Sequence, residues 1–317
     1  MTAIPPLDGP TSLDAGQAPL FGMFADLVAC GLPRTSWSDL YGGFNAGLYD
    51  VLTAGTTYDL SAYIDLARRC SGPVLDIACG SGRITLPLAA DGHQVYGLDL
   101  SGDMLALLRR KLLTQPREVR SRITLIEADM ATFRRPERFG LVLIGATSIC
   151  LLHTSEARRA FFANVRDHLA PGGLFCFDYL LLDEDALRRN PVRVPNVFVS
   201  GSAAKRQFTL VGQKYLVDER IELVNFYTEA VDPSGRTDRF VGSTAKAMLR
   251  REELVDEVCS AGLTVLEDRG MALGDPMSDA APRLIVCRAG DDAGRGRSAG
   301  RDLVSSTQTA EGDDRTG

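Results

Sequence analysis

The feature that most constrains the fold of this chain is an alternation of short apolar runs with longer amphipathic stretches over residues 73–179. Apolar runs bounded by turn residues favour buried strands, and helical stretches between such runs favour parallel crossovers. The pattern therefore predicts an α/β fold, in which a doubly wound, mostly parallel sheet is covered by helices on both faces. The predicted strands lie at 73–78, 94–99, 122–127, 139–146 and 173–179, and the predicted helices at about 82–91, 102–114 and 155–169.

Residues 192–248 break this rhythm. They contain extended segments separated by turn residues, notably Asp232-Pro233-Ser234-Gly235, and such a pattern predicts antiparallel hairpins. We expect this segment to be an antiparallel insertion within a core domain of residues 71–290. The core pattern resumes with a predicted helix at 250–261 and predicted strands at 263–268 and 283–288.

The two ends of the chain have compositions that disfavour a packed core. Residues 1–18 hold several prolines among small residues, and residues 291–317 are rich in Gly, Ser, Asp and Arg. Such segments bury too little apolar surface to offset the entropy of ordering. We expect a flexible arm at 1–18 and a disordered tail at 291–317. The aromatic-rich stretch between them and the core predicts an N-terminal helical lid at 19–70.

Charge and cysteine usage argue against several classes of protein. The net charge is −6, and no basic run is interleaved with aromatic residues, so nucleic acid is disfavoured as a partner. The seven cysteines have no C-x-x-C spacing, which indicates reduced thiols rather than a disulfide framework or a metal site. No run approaches the roughly 18 apolar residues that cross a bilayer, and no signal segment is evident. We expect a soluble, cytoplasmic protein without membrane or metal partners.

The strongest local motif is Val74-Leu75-Asp76-Ile77-Ala78-Cys79-Gly80-Ser81-Gly82, a strand that leads directly into a glycine-rich turn. Gly80 and Gly82 allow the backbone to approach a ligand closely. A plain strand-to-helix turn is the alternative, because a single G-x-G pattern is weak evidence. The motif therefore needs support from the strands that follow.

Two acidic residues at the next strand ends give that support. Asp99 follows Gly80 by 19 residues, where a carboxylate can bind both hydroxyls of a ribose. Asp129, in Glu127-Ala128-Asp129-Met130, ends the third strand, where it can accept a hydrogen bond from an adenine amino group; a solvated loop Asp is the alternative. A dinucleotide pattern would need glycine at position 85, which is Thr85, so pyrophosphate binding is disfavoured. Together the three strand ends predict a site for an adenosine-containing cofactor.

With these motifs the chain resembles the class I methyltransferases, which use S-adenosylmethionine, over about residues 45–290. The resemblance implies a seven-stranded sheet whose last strand is reversed. Ala78 departs from it, because the family often has glycine there. The resemblance assigns Asp76, Ala78, Gly80 and Gly82 to the methionine part of the cofactor, Asp99 to the ribose, Leu100, Met104, Asp129 and Met130 to adenine, and Thr147 to the cofactor site as well.

Within that family the chain is similar to small-molecule N-methyltransferases, especially those that dimethylate amino sugars. The motifs LDIACGSG, GLDLSGDML and EADM carry the likeness, together with Leu48-Tyr49-Asp50 and Thr147-Ser148-Ile149. The resemblance implies methyl transfer to an amine of a small-molecule or modified-peptide natural product. O- or C-methylation stays open, and a homodimer is compatible with the sequence.

An amine acceptor must lose a proton before it attacks, which directs attention to nearby bases. His153 follows the fourth strand, near the expected sulfonium; the alternative is a helix-entry histidine bonded to backbone. The amino-sugar enzymes have their histidine two positions earlier, where Leu151 stands. Tyr49 is the second candidate, since a tyrosine of the N-terminal segment closes over cofactor and substrate in the resembling enzymes. Asp178, at the end of the fifth strand, can meet a cationic substrate or cap the next turn.

Two other functions remain open at this point. An NAD-dependent dehydrogenase shares the glycine turn and Asp99, and a non-catalytic protein can keep the S-adenosylmethionine site as a scaffold. In the insertion, Tyr227 and Glu229 alternate with Phe226 and Thr228, so the two pairs lie on opposite faces of a strand. Either face can cover the cofactor site.

Overall fold

The computed structural model describes residues 18–37, 39–53, 55–202, 205–271 and 280–290. Residues 1–17 of the predicted arm and the whole predicted tail at 291–317 lie outside these ranges. None of the helices in the described ranges has the length and apolar character needed to cross a membrane.

The described residues form two sheets with helices around them. In chain order the strands are β1 (Thr35–Trp37), β2 (Val74–Ile77), β3 (Val95–Asp99), β4 (Ile123–Glu127), β5 (Phe139–Ile144), β6 (Leu169–Leu182), β7 (Val192–Ser202), β8 (Lys205–Leu216), β9 (Ile221–Val231), β10 (Thr237–Ala247), β11 (Leu263–Gly270) and β12 (Ala280–Ala289). The helices are α1 (Met23–Ala29), α2 (Gly43–Thr53), α3 (Leu60–Arg69), α4 (Thr85–Ala90), α5 (Gly102–Leu112), α6 (Arg117–Arg120), α7 (Ser155–His168), α8 (Glu184–Arg189) and α9 (Arg251–Ser260), with a 3-10 helix at Ser148–Leu151.

The core sheet has seven strands in the order β11-β12-β6-β5-β2-β3-β4. Strands β2 to β6 run parallel, and β12 runs antiparallel to both of its neighbours. The prediction of a doubly wound, mostly parallel sheet of seven strands is confirmed. The reversed last strand that the resemblance implied is also present.

Strand β5 illustrates why both faces of this sheet are covered. All six of its residues are buried. Val142 and Ile144 pack in one apolar cluster with residues of α7 and α9, whereas Leu141 and Leu143 pack in another with residues of α3 and α4. Side chains alternate between the faces of a strand, so a continuous apolar run fits a strand with helices on both sides.

The second sheet has the order β1-β10-β9-β8-β7 and contains the strands predicted as hairpins. The turn Asp232-Pro233-Ser234-Gly235 joins β9 and β10, with the Asp232 carboxylate accepting hydrogen bonds from the backbone N–H groups of Ser234 and Arg236 at 2.9 and 3.0 Å. The N-terminal segment, expected to be helical, also supplies β1, which pairs with β10 in parallel. Strand β1 consists of three exposed residues, so the sequence holds no alternation of apolar and polar residues that would predict it.

The two faces of the second sheet have different partners. Phe226 packs with Leu40, Tyr41 and Tyr49, on the side of the N-terminal helices that faces the core. Tyr227 points the other way and packs with Phe24 of α1. The sequence did not indicate which of these two faces covers the core; in the structure it is the face that carries Phe226.

Element ends differ from the prediction where turns take residues from helices or strands. Strand β6 begins at Leu169, directly after α7, so the predicted turn at Pro171-Gly172-Gly173 lies within the strand as an irregularity. Helix α4 begins only at Thr85, because the glycine turn occupies the residues before it. Helix α8 was not predicted; the Asp183 carboxylate caps it by accepting a hydrogen bond from the Ala186 N–H at 2.9 Å.

Candidate active site

A cavity of about 660 Å³ lies at the carboxyl ends of β2, β3, β4 and β5. The strand order reverses between β2 and β5, and open α/β sheets bind their ligands at such a crevice. The lid helix α2 and the segment before it close the other side, with Tyr41 and Tyr49 in the wall. Of the residues assigned to the cofactor, those that line this cavity are Asp76, Ala78, Gly80, Asp99, Leu100, Met104, Asp129 and Met130.

The glycine turn after β2 has a left-handed backbone at three positions. Ala78, Gly80 and Gly82 have φ angles of 54°, 56° and 89°. A Cβ at Gly80 would meet nothing within 4 Å, whereas a Cβ at Gly82 would collide with Leu108 of α5. Gly82 does not line the cavity; it allows α5 to pack closely, and its predicted contact with the cofactor is replaced by this packing role.

The Asp99 carboxylate is oriented by backbone donors. Its Oδ2 accepts from the Gly80 N–H at 2.7 Å, and its Oδ1 accepts from the Ser101 N–H at 2.8 Å. A carboxylate has about four acceptor positions, so each oxygen keeps capacity for one more donor. Burial raises the pKa of Asp99, and the backbone donors oppose that shift. The arrangement can accept two neighbouring hydroxyl groups from the cavity.

The residues expected around adenine form one end of the cavity. Leu100 is 70% exposed and Met104 is buried, so together they give an apolar rim and an apolar floor. The Asp129 Oδ1 accepts from the Ala131 N–H at 2.8 Å, which fixes the carboxylate at the cavity edge. An aromatic base with an exocyclic amino group fits between such surfaces.

Asp76 is the buried carboxylate at the opposite end. Its Oδ2 accepts from the Thr85 hydroxyl at 2.6 Å, and burial raises its pKa to about 7. Thr85 thus replaces the glycine of a dinucleotide site with a residue that orients Asp76. A cationic group in the cavity would favour the ionised form of this carboxylate.

Arg83 also lines the cavity, although the sequence did not single it out. Its Nη1 and Nη2 donate to the two oxygens of the fully buried Asp59 at 2.6 and 2.7 Å. Such a two-point pair fixes the guanidinium plane beside the glycine turn. The sequence signal is weak, because the two residues are 24 positions apart and follow no motif.

Polar contacts hold the lid against the cofactor-site loops. Asp50 of α2 accepts at one oxygen from the Ser81 hydroxyl and from the Lys111 ammonium, both at 2.5 Å. At the start of the same helix the Gly43 N–H donates to Asp103 at 2.7 Å. These contacts attach α2, whose Tyr49 lies in the cavity wall, to the loops on the other side of the cavity.

The expected place of His153 beside the reacting centre is wrong. His153 is exposed, its Nε2 lies 3.0 Å from the carbonyl oxygen of Ala245, and it borders a separate cleft. Leu151 and Leu152 take the cavity positions, and Thr154 then caps α7 by accepting from the Ala157 N–H at 3.1 Å. The chain therefore turns away before it reaches His153, which matches the alternative of a histidine bonded to backbone.

Asp178 and Thr147 lie behind the cavity wall rather than in it. Asp178 is completely buried, accepting from the Tyr63 hydroxyl and from the Thr147 N–H, both at 3.0 Å. Burial raises its pKa to about 6. The expectation that Asp178 meets a cationic substrate is not met by this geometry, since its oxygens are directed at the protein. Thr147 itself is buried, and its neighbours Ala146 and Ser148 line the cavity instead.

Part of the core is similar to a known protein family. Residues 74–173 match the family model described as a methyltransferase domain. The chain is 31% identical over 137 residues to a dTDP-3-amino-3,4,6-trideoxy-α-D-glucopyranose N,N-dimethyltransferase from Streptomyces venezuelae, a match that covers 41% of this chain and 54% of that protein. The chain thus spans about half the length of the curated relatives it matches.

Solved structures extend the likeness beyond the matched segment. The glycopeptide N-methyltransferase MtfA in complex with S-adenosylmethionine is 26% identical, with a TM-score of 0.54, over 86% of this chain and 100% of that chain. The CcbJ methyltransferase from Streptomyces caelestis is 20% identical, with a TM-score of 0.60, over 80% and 99% of the two chains, which shows the shared fold. The predicted family resemblance is confirmed: residues 74–173 match the model of a methyltransferase domain, in a chain with the fold of solved methyltransferases, one of them in complex with S-adenosylmethionine.

Proposed function

We propose that this protein transfers a methyl group from S-adenosylmethionine to an amine of a small-molecule or modified-peptide natural product. The observation that carries the proposal is the convergence of Gly80, Asp99 and Asp129 on one cavity at the switch point of the core sheet. The amine acceptor is supported by the names of the relatives, an amino-sugar N,N-dimethyltransferase and a glycopeptide N-methyltransferase. Cytoplasmic location and the lack of a nucleic-acid partner, which cysteine usage and net charge predict, are part of the proposal.

In this proposal the cavity divides into an adenosine end and a methionine end. Asp99 accepts from the two ribose hydroxyls, and Asp129 accepts from the adenine amino group. At the other end, Asp76 pairs with the α-ammonium and Arg83 donates to the α-carboxylate. Bound there, S-adenosylmethionine supplies an electrophilic methyl group on its sulfonium.

The remaining residues prepare the acceptor. Leu151, Leu152 and Phe226 are apolar groups at or above the cavity, and removal of water lowers the pKa of an entering amine. The uncharged amine is the nucleophile, so this environment favours attack without a strong base. We assign to the Tyr49 phenol the orientation of the amine by a hydrogen bond, which is an alignment role.

The cofactor assignment is tested with S-adenosylhomocysteine as the ligand in calorimetry. Asp99→Ala removes two hydrogen bonds to a charged acceptor, each of about 1.5–3 kcal/mol, so affinity should fall by roughly 100-fold or more. Arg109→Ala, an exposed change on α5, is the matched control and should bind like the wild type. Binding of NADH but not of S-adenosylhomocysteine would overturn the proposal.

The acceptor assignment needs a separate measurement. Formation of S-adenosylhomocysteine is followed with a dTDP-amino sugar and a glycopeptide, each beside its hydroxyl counterpart. Turnover of amines but not of the matched alcohols supports N-methylation. Turnover of alcohols but not of amines would keep the proposed cofactor site and show that the acceptor atom is oxygen.

A further inference from the structure

The turn that follows β5 has an unusual backbone. Ala146 and Thr147 are consecutive non-glycine residues in the left-handed region, with φ angles of 55° and 56°. Such a conformation persists only where the surrounding structure holds it. Gly145, Ala146 and Ser148 from this turn line the cavity, so the shape of the turn is the shape of the cavity wall.

One buried carboxylate is hydrogen-bonded to the turn. The Thr147 N–H donates to Asp178 Oδ2 and the Tyr63 hydroxyl donates to Oδ1, both at 3.0 Å. Tyr63 is itself fully buried, and a Cβ added at Gly145 would lie 3.3 Å from its hydroxyl oxygen. The carboxylate and the phenol thus support the turn from beneath, and neither residue lines the cavity.

Stability alone does not explain a carboxylate at this position. A buried ionisable group has a large desolvation cost, and an apolar residue of similar size is often as stabilising or more so. The Asp178 side chain reaches from β6 to the end of β5. It accepts hydrogen bonds from Thr147 in the turn and from Tyr63, which packs under the turn. Its observed contacts therefore fix a local backbone geometry.

The turn lies on the side of the cavity away from the residues proposed for adenosine. In the core sheet β5 is on the opposite side of β2 from β3 and β4. The residues proposed for adenosine follow β3 and β4, so the turn after β5 faces the transferred methyl group in the proposed function. A small shift of this wall changes the alignment of the acceptor, on which a displacement depends strongly.

We propose that Asp178 is a positioning residue, whose carboxylate holds the left-handed turn at Ala146-Thr147 so that the turn aligns the acceptor, while the carboxylate itself touches neither the acceptor nor its proton. This inference rests on the proposed methyl transfer. Its structural part, the holding of the turn, is measured without any acceptor.

The first test measures hydrogen–deuterium exchange of the peptide that spans residues 145–152. Asp178→Ala removes both hydrogen bonds, so exchange in this peptide should rise at least tenfold. Asp178→Asn can accept from the Thr147 N–H and donate to the Tyr63 oxygen, so exchange should stay within about threefold of the wild type. Affinity for S-adenosylhomocysteine should change less than threefold in both variants. Unchanged exchange in Asp178→Ala would overturn the holding role.

The second test separates positioning from acid–base chemistry. It uses whichever amine, the dTDP-amino sugar or the glycopeptide, the wild type methylates. We expect Asp178→Ala to lower kcat at least tenfold with little change in KM for S-adenosylmethionine, and Asp178→Asn to restore kcat to within about threefold with an unaltered pH profile. If Asp178→Asn is as inactive as Asp178→Ala, or shifts the acid limb of the profile, the carboxylate acts by its charge and the inference fails.

Tyr63→Phe covers the case in which Asp178→Ala does not fold. It removes one of the two hydrogen bonds and keeps the ring, so exchange at 145–152 and kcat should lie between those of the wild type and a loss of both bonds. No change in either quantity contradicts the inference. Absence of S-adenosylhomocysteine binding by the wild type, in contrast, refutes the proposed function and leaves the exchange result to decide the role of Asp178 in the turn.

Discussion

At the scale of single residues, the glycine turn places one side chain where the backbone disfavours it. Ala78 has a φ of 54°, and a left-handed backbone costs a non-glycine residue about 1–2 kcal/mol. The sequence identified this position only as a departure from the usual glycine. The structure adds that this alanine lines the cavity with a left-handed backbone.

Ala78→Gly should therefore leave the stability unchanged or raise it by up to about 1 kcal/mol, because relief of the left-handed strain, about 1–2 kcal/mol, equals or exceeds the entropy cost of glycine, about 0.5–1 kcal/mol. Ala106→Gly in the middle of α5 is the control and should cost about 1 kcal/mol. Urea unfolding of both variants measures the difference. An equal or larger loss for Ala78→Gly contradicts the strain argument.

The buried Asp76 predicts a pH dependence of stability. Burial raises its pKa from 3.8 to about 7, so between these values the folded chain binds more protons than the unfolded chain. The free energy of unfolding should then decrease as pH rises from about 4 to 7, and Asp178, with a pKa raised to about 6, contributes with the same sign at the lower end. Asp76→Asn should flatten this slope, and between pH 6 and 7, where Asp178 contributes less, it should remove most of it.

Denaturant titrations of the protein without ligand, at several pH values, measure this slope. Asp65→Asn changes an exposed carboxylate on α3 and is the matched control, whose slope should equal that of the wild type. A slope in Asp76→Asn as steep as in the wild type would show that another group titrates in this range.

At the scale of helices and strands, α2 is attached to the cofactor-site loops by contacts that water can replace. The Asp50–Lys111 pair has side chains 23% and 35% exposed, so its strength is close to that of a surface pair, about 1 kcal/mol or less. A ligand that enters between α2 and the glycine turn must displace this helix. The pair is thus expected to set the rate of opening.

Asp50→Asn should accelerate dissociation of S-adenosylhomocysteine roughly three- to fivefold, because it weakens the contacts to Ser81 and Lys111 together. Lys111→Met should have a similar but smaller effect, and Asp26→Asn on the exposed side of α1 should have none. Stopped-flow fluorescence during displacement by excess S-adenosylmethionine measures the rate. Equal dissociation rates in all four proteins contradict a closing role for Asp50.

What the sequence predicted, and what it did not, follows from the range of the contacts involved. The positions of Asp99 and Asp129 at strand ends were predictable because each acidic residue lies at, or directly after, its strand in the sequence. The Arg83–Asp59 pair and the support of the turn by Asp178 join different elements, and no local pattern encodes them. His153 was misplaced for a related reason, since its direction depends on the left-handed turn that precedes it.

At the scale of the whole molecule, the two sheets have separate tasks in the proposed function. The core sheet carries the residues assigned to the cofactor, and the second sheet covers the acceptor side. The N-terminal segment joins them: Phe24 is buried against the outer face of the second sheet, while Phe44 of α2 stacks on Phe240 of β10 with ring centres 3.7 Å apart.

Phe24→Ala should therefore lower stability by about 3–5 kcal/mol while S-adenosylhomocysteine affinity stays within about twofold, because none of the apolar residues clustered with Phe24 lines the cavity. Phe21→Ala, at a half-buried neighbour, should cost less. Thermal unfolding and calorimetry on the same samples give both quantities. A loss of ligand affinity that parallels the loss of stability contradicts the division of tasks.

The parallel pairing of β1 with β10 also governs how the chain is made. Thr35 is paired with Arg239, so β1 must wait for a partner that is encoded some 200 residues later. Contacts of such high sequence separation form late and slowly in folding. A nascent chain can therefore complete the parallel strands β2 to β6 before the second sheet is whole, because β1 has no partner until β10 has been made.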